Sequence, residues 1–201
     1  FFIGGPNYHS QRSFKAFWNL GHIIYFAFLP VLLFSLIPGK KLKPIFKISI
    51  ILGITLTLGT LVEVFQYGFN RTPDMGDLFR NMIGAGIAIC FLLPITKSVP
   101  KTPMLILRTT LVFLVASQFY PIVIALIDEY HARQEFSILS DFQTPFQIHR
   151  WSSDAAITIE NDIGNQGNRA MRTDLTTQLY SGVALKYFPG NWQQYQFLQF
   201  R

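Results

Sequence analysis

The chain has 201 residues, of which 50% are hydrophobic and only 14% are charged, and its formal net charge is +6. So low a charged fraction, with the apolar residues gathered in long blocks, argues against a soluble globular domain and predicts a polytopic membrane protein. The positive charge would be typical of nucleic-acid binding in a soluble protein. Here many basic residues flank the apolar blocks, so we expect a lipid bilayer as the partner and no nucleic acid.

Four apolar blocks are candidates for transmembrane helices, because a helix needs about 20 apolar residues to cross the hydrocarbon core. They cover residues 17–37, 45–65, 78–95 and 104–127, and the third is slightly short and begins with polar residues. The single cysteine, Cys90, lies in this third block and is interpreted as a packing residue. The sequence therefore predicts an N-terminal extracytoplasmic loop over residues 1–12 and a four-helix membrane domain over residues 13–127.

The basic residues near the ends of these blocks predict the orientation. One side of the membrane would carry seven of them: Lys40, Lys41, Lys43, Lys47, Lys97, Lys101 and Arg108. The other side would carry four: Arg12, Lys15, Arg71 and Arg80. Cytoplasmic loops are enriched in Lys and Arg, so the side with seven should be cytoplasmic. The loop between the second and third helices, and everything after residue 127, should then lie outside.

Polar side chains gather at the predicted outer ends of the first three helices. Their spacing is helical: Glu63 and Gln66 share one face, and Asp74, Asp77 and Asn81 share another. The full set, called the polar cluster below, is His22, Glu63, Gln66, Arg71, Asp74, Asp77 and Asn81. Ionisable groups at the rim of a bilayer cost free energy, so they are expected to have partners or a function.

Three interpretations of the polar cluster remain open. It could be a hydrogen-bonded plug that fixes helix packing, with Arg71 paired to Asp74 or Asp77. It could bind a polar headgroup or envelope precursor, with Arg71 and Arg80 on phosphate and the carboxylates and amides on sugar hydroxyls. It could also belong to an envelope enzyme in which His22, Glu63 and Asp77 are the working groups. No metal-ligand spacing is present, so we expect neither a metal nor a cofactor.

The order of these polar residues resembles that of the VanZ-like family of small membrane proteins. The matching elements are Glu63-x-x-Gln66, then Arg71 and Asp74, then a helix that opens with Asp77-x-x-x-Asn81 and continues to small residues, together with His22-x-x-x-Phe26 in an earlier helix. The similarity covers roughly residues 15–95. One departure is Trp18-Asn19, where many members have an Asp-Lys pair. The resemblance implies an integral membrane protein of the bacterial envelope, linked in some members to teicoplanin resistance.

The composition changes after the last apolar block. Residues 128–140 are predicted to be a linker, and residues 141–201 are rich in Asn, Gln, Thr, Ser and aromatics. Strands are expected over residues 155–160, 170–175, 181–188 and 195–200, which suggests part of an antiparallel β-sandwich. Because the chain starts without Met and ends within a predicted strand, we expect a fragment at both ends.

The segment from Tyr180 to Tyr195 resembles the start of a carbohydrate-binding β-sandwich module. The candidate sugar-stacking aromatics are Trp151, Tyr180, Trp192 and Tyr195, and packing is the alternative role for each. Together these features predict an integral protein of the bacterial plasma membrane with an extracytoplasmic C-terminal domain. We expect it to bind glycan or lipid-linked glycan at the outer face, with an envelope enzyme or a structural cluster as alternatives.

Overall fold

The computed structural model describes residues 6, 10–36, 42–67, 74–95, 99–161, 169–177 and 181–199. Within this part of the chain lie four long helices: α1 (Arg12–Leu36), α2 (Pro44–Tyr67), α3 (Met75–Ile87) and α4 (Lys101–Gln134). A five-residue π-helical turn, Ala88–Leu92, extends α3. With that extension all four helices are long and apolar enough to cross a membrane. The four predicted apolar helices are therefore confirmed as candidate membrane spans.

The chain divides into two compact units. The first contains α1 from residue 14, α2, α3 and α4 up to residue 120. The second contains residues 10–13, the rest of α4 and the C-terminal segment. The division thus falls inside α4, and this helix continues through residues 128–134, where the sequence predicts the start of a linker.

The first unit encloses a group of polar side chains and exposes many large apolar ones. Its buried side chains include His22, Thr55, Glu63, Gln66, Asp77 and Asn81. Large apolar side chains on three of its helices face outward, with Phe28 65%, Val64 62% and Phe113 71% exposed. In a bilayer lipid tails solvate such side chains, whereas polar groups must be enclosed by protein. This distribution is the one expected of a helical membrane domain.

The first unit also contains an apolar core. Along α2 and α3, this core lies at the opposite end from the buried polar residues. It is formed by Ile51, Ile89, Cys90, Leu93, Ile95, Met104 and Leu111. Cys90 is buried there, in agreement with its predicted packing role. The backbone oxygen of Cys90 lies within the π turn and accepts a hydrogen bond from Nε of Arg108 at 3.0 Å. It is free to do so because the residue four positions on, Pro94, has no N–H. Arg108 also lies over the ring of Phe91 at 5.3 Å.

In the second unit, Asp128 of α4 pairs with two arginines. Arg150 Nη2 lies 2.8 Å from Asp128 Oδ1, and Arg12 Nη1 lies 3.2 Å from Oδ2. Arg150 is almost fully buried and also donates to the backbone oxygen of Leu139 at 2.6 Å. Next to this network, the side chain of Glu129 accepts hydrogen bonds from the first turn of α1. This network holds the start of α1, the end of α4 and the chain after it together.

The C-terminal strands form two small antiparallel sheets. Strand β1 (Trp151–Ser153) pairs with β4 (Val183–Leu185), and β2 (Ala156–Glu160) pairs with β3 (Ala170–Asp174). Three of the four predicted strands correspond to β2, β3 and β4. The fourth does not form in the described part, because residues 195–199 have no strand structure. The described residues thus contain a small β region with two-stranded sheets, and β1 is an additional strand.

Candidate functional site

The start of α3 positions the carboxylate residues of the polar cluster. Asp74 caps the helix by accepting a hydrogen bond from Gly76 N through Oδ1 at 2.7 Å. Its own backbone N–H donates to Glu63 Oε2 at 2.9 Å, which ties the first turn of α3 to the last turns of α2. From this start Asp77 and Asn81 lie one turn apart on the buried face of α3.

A glycine brings α1 against the same face of α3. A Cβ atom added to Gly84 would overlap the backbone oxygen of Ile23 and lie 2.9 Å from the carbonyl carbon of Phe26. Only a residue without a side chain allows the two helices to approach so closely. His22, which precedes Ile23, is thereby placed beside Asp77 and Asn81.

His22 lies between these two side chains of α3. Its Nδ1 is 3.0 Å from Asn81 Oδ1, and its Nε2 is 3.4 Å from Asp77 Oδ2. Both ring nitrogens thus face oxygen atoms of α3 side chains. His22 bridges the carboxylate of Asp77 and the amide of Asn81.

Arg80 forms an ion pair with the carboxylate of Asp77, through the oxygen that does not face His22. Its Nη1 lies 2.6 Å from Asp77 Oδ1 and 3.5 Å from Asp74 Oδ2. A continuous chain of polar contacts results, running through His22, Asp77, Arg80, Asp74 and Glu63. Arg80 is outside the predicted cluster, although its i, i+3 spacing from Asp77 is a signal for this pairing.

Helix α2 completes the site with residues spaced i, i+4, i+8 and i+11: Thr55, Gly59, Glu63 and Gln66. The three side chains among them are buried. A Cβ atom on Gly59 would lie 2.8 Å from Asn81 Nδ2, so this glycine makes room for the asparagine. The helical spacing of Thr55 and Gly59 from Glu63 places them on the face that borders the cluster, and this spacing is the signal by which the sequence could have identified them.

Four buried polar atoms of α2 and α3 have no hydrogen-bond partner within the described structure: Thr55 Oγ1, Glu63 Oε1, Gln66 Nε2 and Asn81 Nδ2. Leaving a buried polar atom unpaired costs about 1–3 kcal/mol, and buried groups in proteins are normally paired. The four comprise two amide N–H groups, one carboxylate oxygen and one hydroxyl. This combination suits a bound group that both donates and accepts hydrogen bonds.

The polar contacts link five of the seven predicted cluster residues: His22, Glu63, Asp74, Asp77 and Asn81. Gln66 is buried on the cluster-facing side of α2, and Arg71 lies outside the described residues. Among the described positions no group of three or more His, Cys, Asp or Glu side chains could hold a metal ion. The arrangement is thus one of hydrogen-bond donors and acceptors around two ion-paired carboxylates.

The candidate sugar-stacking aromatics lie in the second unit, apart from Tyr180, which is outside the described residues. Trp151 donates from Nε1 to Ser140 Oγ at 3.0 Å, and its ring lies 6.0 Å from that of Phe142. Trp192 and Tyr195 both contact Phe136 edge-on, at 6.2 and 5.2 Å. These three rings are half-buried, so each combines a packing contact with some exposed surface.

A polar cleft of about 530 Å³ lies beside β1 and β4. It is lined by Ser152, Ser153, Asp154, Ser181, Gly182, Val183, Ala184 and Lys186. Ser153 Oγ is already used, because it donates to Gly182 O at 2.6 Å and accepts from Ala155 N at 2.9 Å. No local sequence pattern indicates this cleft, because it depends on the pairing of β1 with the distant strand β4.

No protein-family model, no curated protein and no solved structure matches this chain. The two family resemblances therefore rest on the motif residues alone. The function has to be argued from the geometry of the site.

Proposed function

We propose that this protein binds glycan or lipid-linked glycan at the outer face of the bacterial plasma membrane. The observation that carries the proposal is the set of four buried, unpartnered polar atoms on α2 and α3. A sugar hydroxyl both donates and accepts, so it can satisfy amide N–H groups and a carboxylate oxygen together. A site at the rim of a membrane suits an amphiphile whose apolar tail stays in the lipid.

The distribution of basic residues supports the outward orientation in this proposal. With seven Lys and Arg residues flanking the opposite ends of the helices, the positive-inside rule puts the polar cluster on the outer side. The same rule puts the strand region outside. The VanZ-like motif order agrees with an envelope protein and extends the proposal to an effect on glycopeptide susceptibility.

We extend the proposal to the β region as part of a carbohydrate-binding β-sandwich. Its support is the partly exposed Trp151, Trp192 and Tyr195 and the cleft with its serines, carboxylate and ammonium group. Aromatic faces and hydroxyl-lined clefts are both suited to sugar rings.

The test is lipid-linked glycan binding by the full chain in phosphatidylcholine nanodiscs. Gln66→Leu removes an unpartnered amide and should weaken binding about 2- to 10-fold, the worth of one hydrogen bond. Gln118→Leu is the matched control, because Gln118 lies on α4 and donates to the adjacent Ser117 Oγ at 3.2 Å. Equal binding by both variants, or no binding by the unaltered chain, would contradict the proposal.

An envelope enzyme is the second candidate, favoured by the contact between His22 and the buried carboxylate of Asp77. Both nitrogens of His22 already have partners, so a reaction would require one of these contacts to open. Asp77→Asn separates the two functions. An enzyme should lose turnover with little change in substrate affinity, whereas a binding protein should show no turnover before the substitution either.

A further inference from the structure

Among the described residues, the charges around Arg80 do not favour an anionic ligand. The described residues contribute three carboxylates, from Glu63, Asp74 and Asp77, against the single guanidinium of Arg80. Arg80 is already shared by Asp77 and Asp74, at 2.6 and 3.5 Å. A phosphate that approached Arg80 would have to displace one of these carboxylates and would lie close to both. Like charges at such short distances repel strongly in a region of low dielectric constant.

Glu63 is the member of the cluster whose charge is least compensated. It is 8% exposed, and its Oε2 accepts one hydrogen bond, from the backbone of Asp74. Its Oε1 has no partner and no cationic side chain pairs with it among the described residues. A buried carboxylate without a counter-charge is costly, so the site is completed best by a positive group. Glu63 also lies in the last turns of α2, where the helix dipole favours a cation.

The two unpartnered amides of α2 and α3 require a second feature in the ligand. Gln66 Nε2 and Asn81 Nδ2 are donors, and an ammonium group alone cannot accept hydrogen bonds from them. An oxygen atom next to the ammonium can. Thr55 Oγ1 can donate to the same kind of oxygen or accept from a hydroxyl.

From these contacts we infer that the cluster recognises a primary ammonium group with a neighbouring oxygen acceptor. The ammonium pairs with Glu63, and the oxygen accepts from the amides of Gln66 and Asn81. A glycan with a free amino sugar has this chemistry. A phospholipid with an ethanolamine headgroup shares the ammonium group but carries its neighbouring oxygens on a phosphate. The inference rests on the proposed function and narrows it to one class of headgroup.

The experiment compares octyl glycosides that share one tail: glucoside, 2-amino-2-deoxyglucoside, its N-acetyl form, its N-trimethyl form and glucoside 6-phosphate. Dissociation constants are measured with the full chain in phosphatidylcholine nanodiscs. The amino form should bind at least about tenfold more tightly than the neutral and phosphorylated forms. The trimethyl form keeps the charge but has no N–H donor and should lose most of that gain. This comparison uses only the unaltered protein, so it does not depend on a variant folding.

Variants then assign the ammonium to Glu63. Glu63→Gln should abolish the preference for the amino form, whereas Glu160→Gln on β2 should leave it unchanged. Arg71→Gln should also leave it unchanged, and a lost preference in this variant would mean that Arg71 supplies the counter-charge of Glu63. A second set of nanodiscs contains lipids with ethanolamine, choline or phosphatidic acid headgroups. It identifies which amphiphile supplies the ammonium group, since the ethanolamine lipid should compete with the amino glycoside only if it enters the same site.

Different results would contradict the ammonium inference and the proposed glycan binding. Tightest binding of the phosphorylated form, or a preference for the amino form that survives Glu63→Gln, would overturn the ammonium inference. Equal binding of the neutral and amino glycosides, with loss on Gln66→Leu, would overturn it as well but leave the proposed glycan binding in place. If no glycoside and no lipid headgroup binds, both proposals fall.

Discussion

The Nδ1 atom of His22 lies 3.0 Å from Oδ1 of Asn81, although the two residues are 59 positions apart and on different helices. Both side chains are buried, and Asn81 is completely enclosed. This contact joins the middle of the polar cluster to α1. Its loss should therefore affect both the stability of the first unit and any ligand that Asn81 binds.

Asn81→Ala should lower the free energy of unfolding by about 1–3 kcal/mol, because it removes a buried hydrogen bond between α1 and α3. Reversible unfolding in mixed detergent micelles measures the difference. Ser117→Ala is the control, since its exposed hydroxyl donates to Leu114 O and accepts from the adjacent Gln118, both on its own helix. That substitution should change stability by less than about 0.5 kcal/mol. Equal effects of the two would argue against the His22–Asn81 contact.

Gly84→Ala should destabilise the protein by about 1–3 kcal/mol, because the added methyl group meets the backbone of α1 and backbone cannot move aside as a flexible side chain can. Gly53→Ala on α2 provides the matched control, with nothing within 4 Å of the added Cβ atom. Alanine is the better helix former, so this variant should be neutral or up to about 1 kcal/mol more stable. The same unfolding assay distinguishes them, and a stabilising Gly84→Ala would contradict the close approach of α1 and α3.

Arg80→Gln should be more destabilising than the double variant Asp77→Asn/Arg80→Gln. Removing Arg80 alone leaves the buried Asp77 without its arginine partner, and breaking a buried ion pair in this way costs about 3–5 kcal/mol. Removing both charges relieves that cost. A double-mutant cycle in micelles measures the coupling. Strictly additive effects would show that the 2.6 Å contact between these side chains contributes nothing.

Asp128→Asn should disrupt the second unit, because it removes the partner of the buried Arg150 and of Arg12. We expect a loss of about 3–5 kcal/mol. The readout is the rate of proteolysis in residues 135–199 of the full chain. Arg172→Gln breaks two exposed ion pairs on the strands and should change that rate little, since such pairs contribute about 0–1 kcal/mol. Similar rates for both variants would rule out a stabilising role for the Asp128 network.

Gln66→Leu should leave the free energy of unfolding unchanged or raise it, because the amide that it removes is buried without a partner. The same variant should bind ligand more weakly, as proposed above. This opposite response of stability and binding is the signature of a functional residue. A clear loss of stability would instead support the interpretation of the cluster as a packing plug.

The sequence predicts the four helices well, because each apolar block is long enough to cross a membrane and little else explains such blocks. It predicts their ends less well. Helix α1 begins at Arg12, five residues before the apolar block, because Glu129 accepts hydrogen bonds from Ser13 N and Oγ at 2.8 and 2.7 Å. That contact spans 116 positions, and local sequence contains no sign of it.

Contacts between distant residues also limit the prediction of the site and the strands. The shared depth of His22 and Glu63 follows from the orientation rule, but the contact of His22 with Asn81 depends on Gly84. Whether the polar atoms are paired depends on side-chain positions that no spacing specifies. The three-residue strand β1 has no alternating pattern and is defined by its pairing with β4. Tyr195, at the start of the last predicted strand, packs instead on Phe136.

The π turn at the end of α3 has a mechanical consequence for α4. The backbone oxygen of Cys90 in this turn holds the guanidinium of Arg108. Without this contact the arginine side chain would extend toward the phosphate groups of the lipid. The position of α4 along the membrane normal is thus set partly by its contact with the end of α3. When the bilayer becomes thinner or thicker, α4 should tilt together with α3 instead of sliding past it.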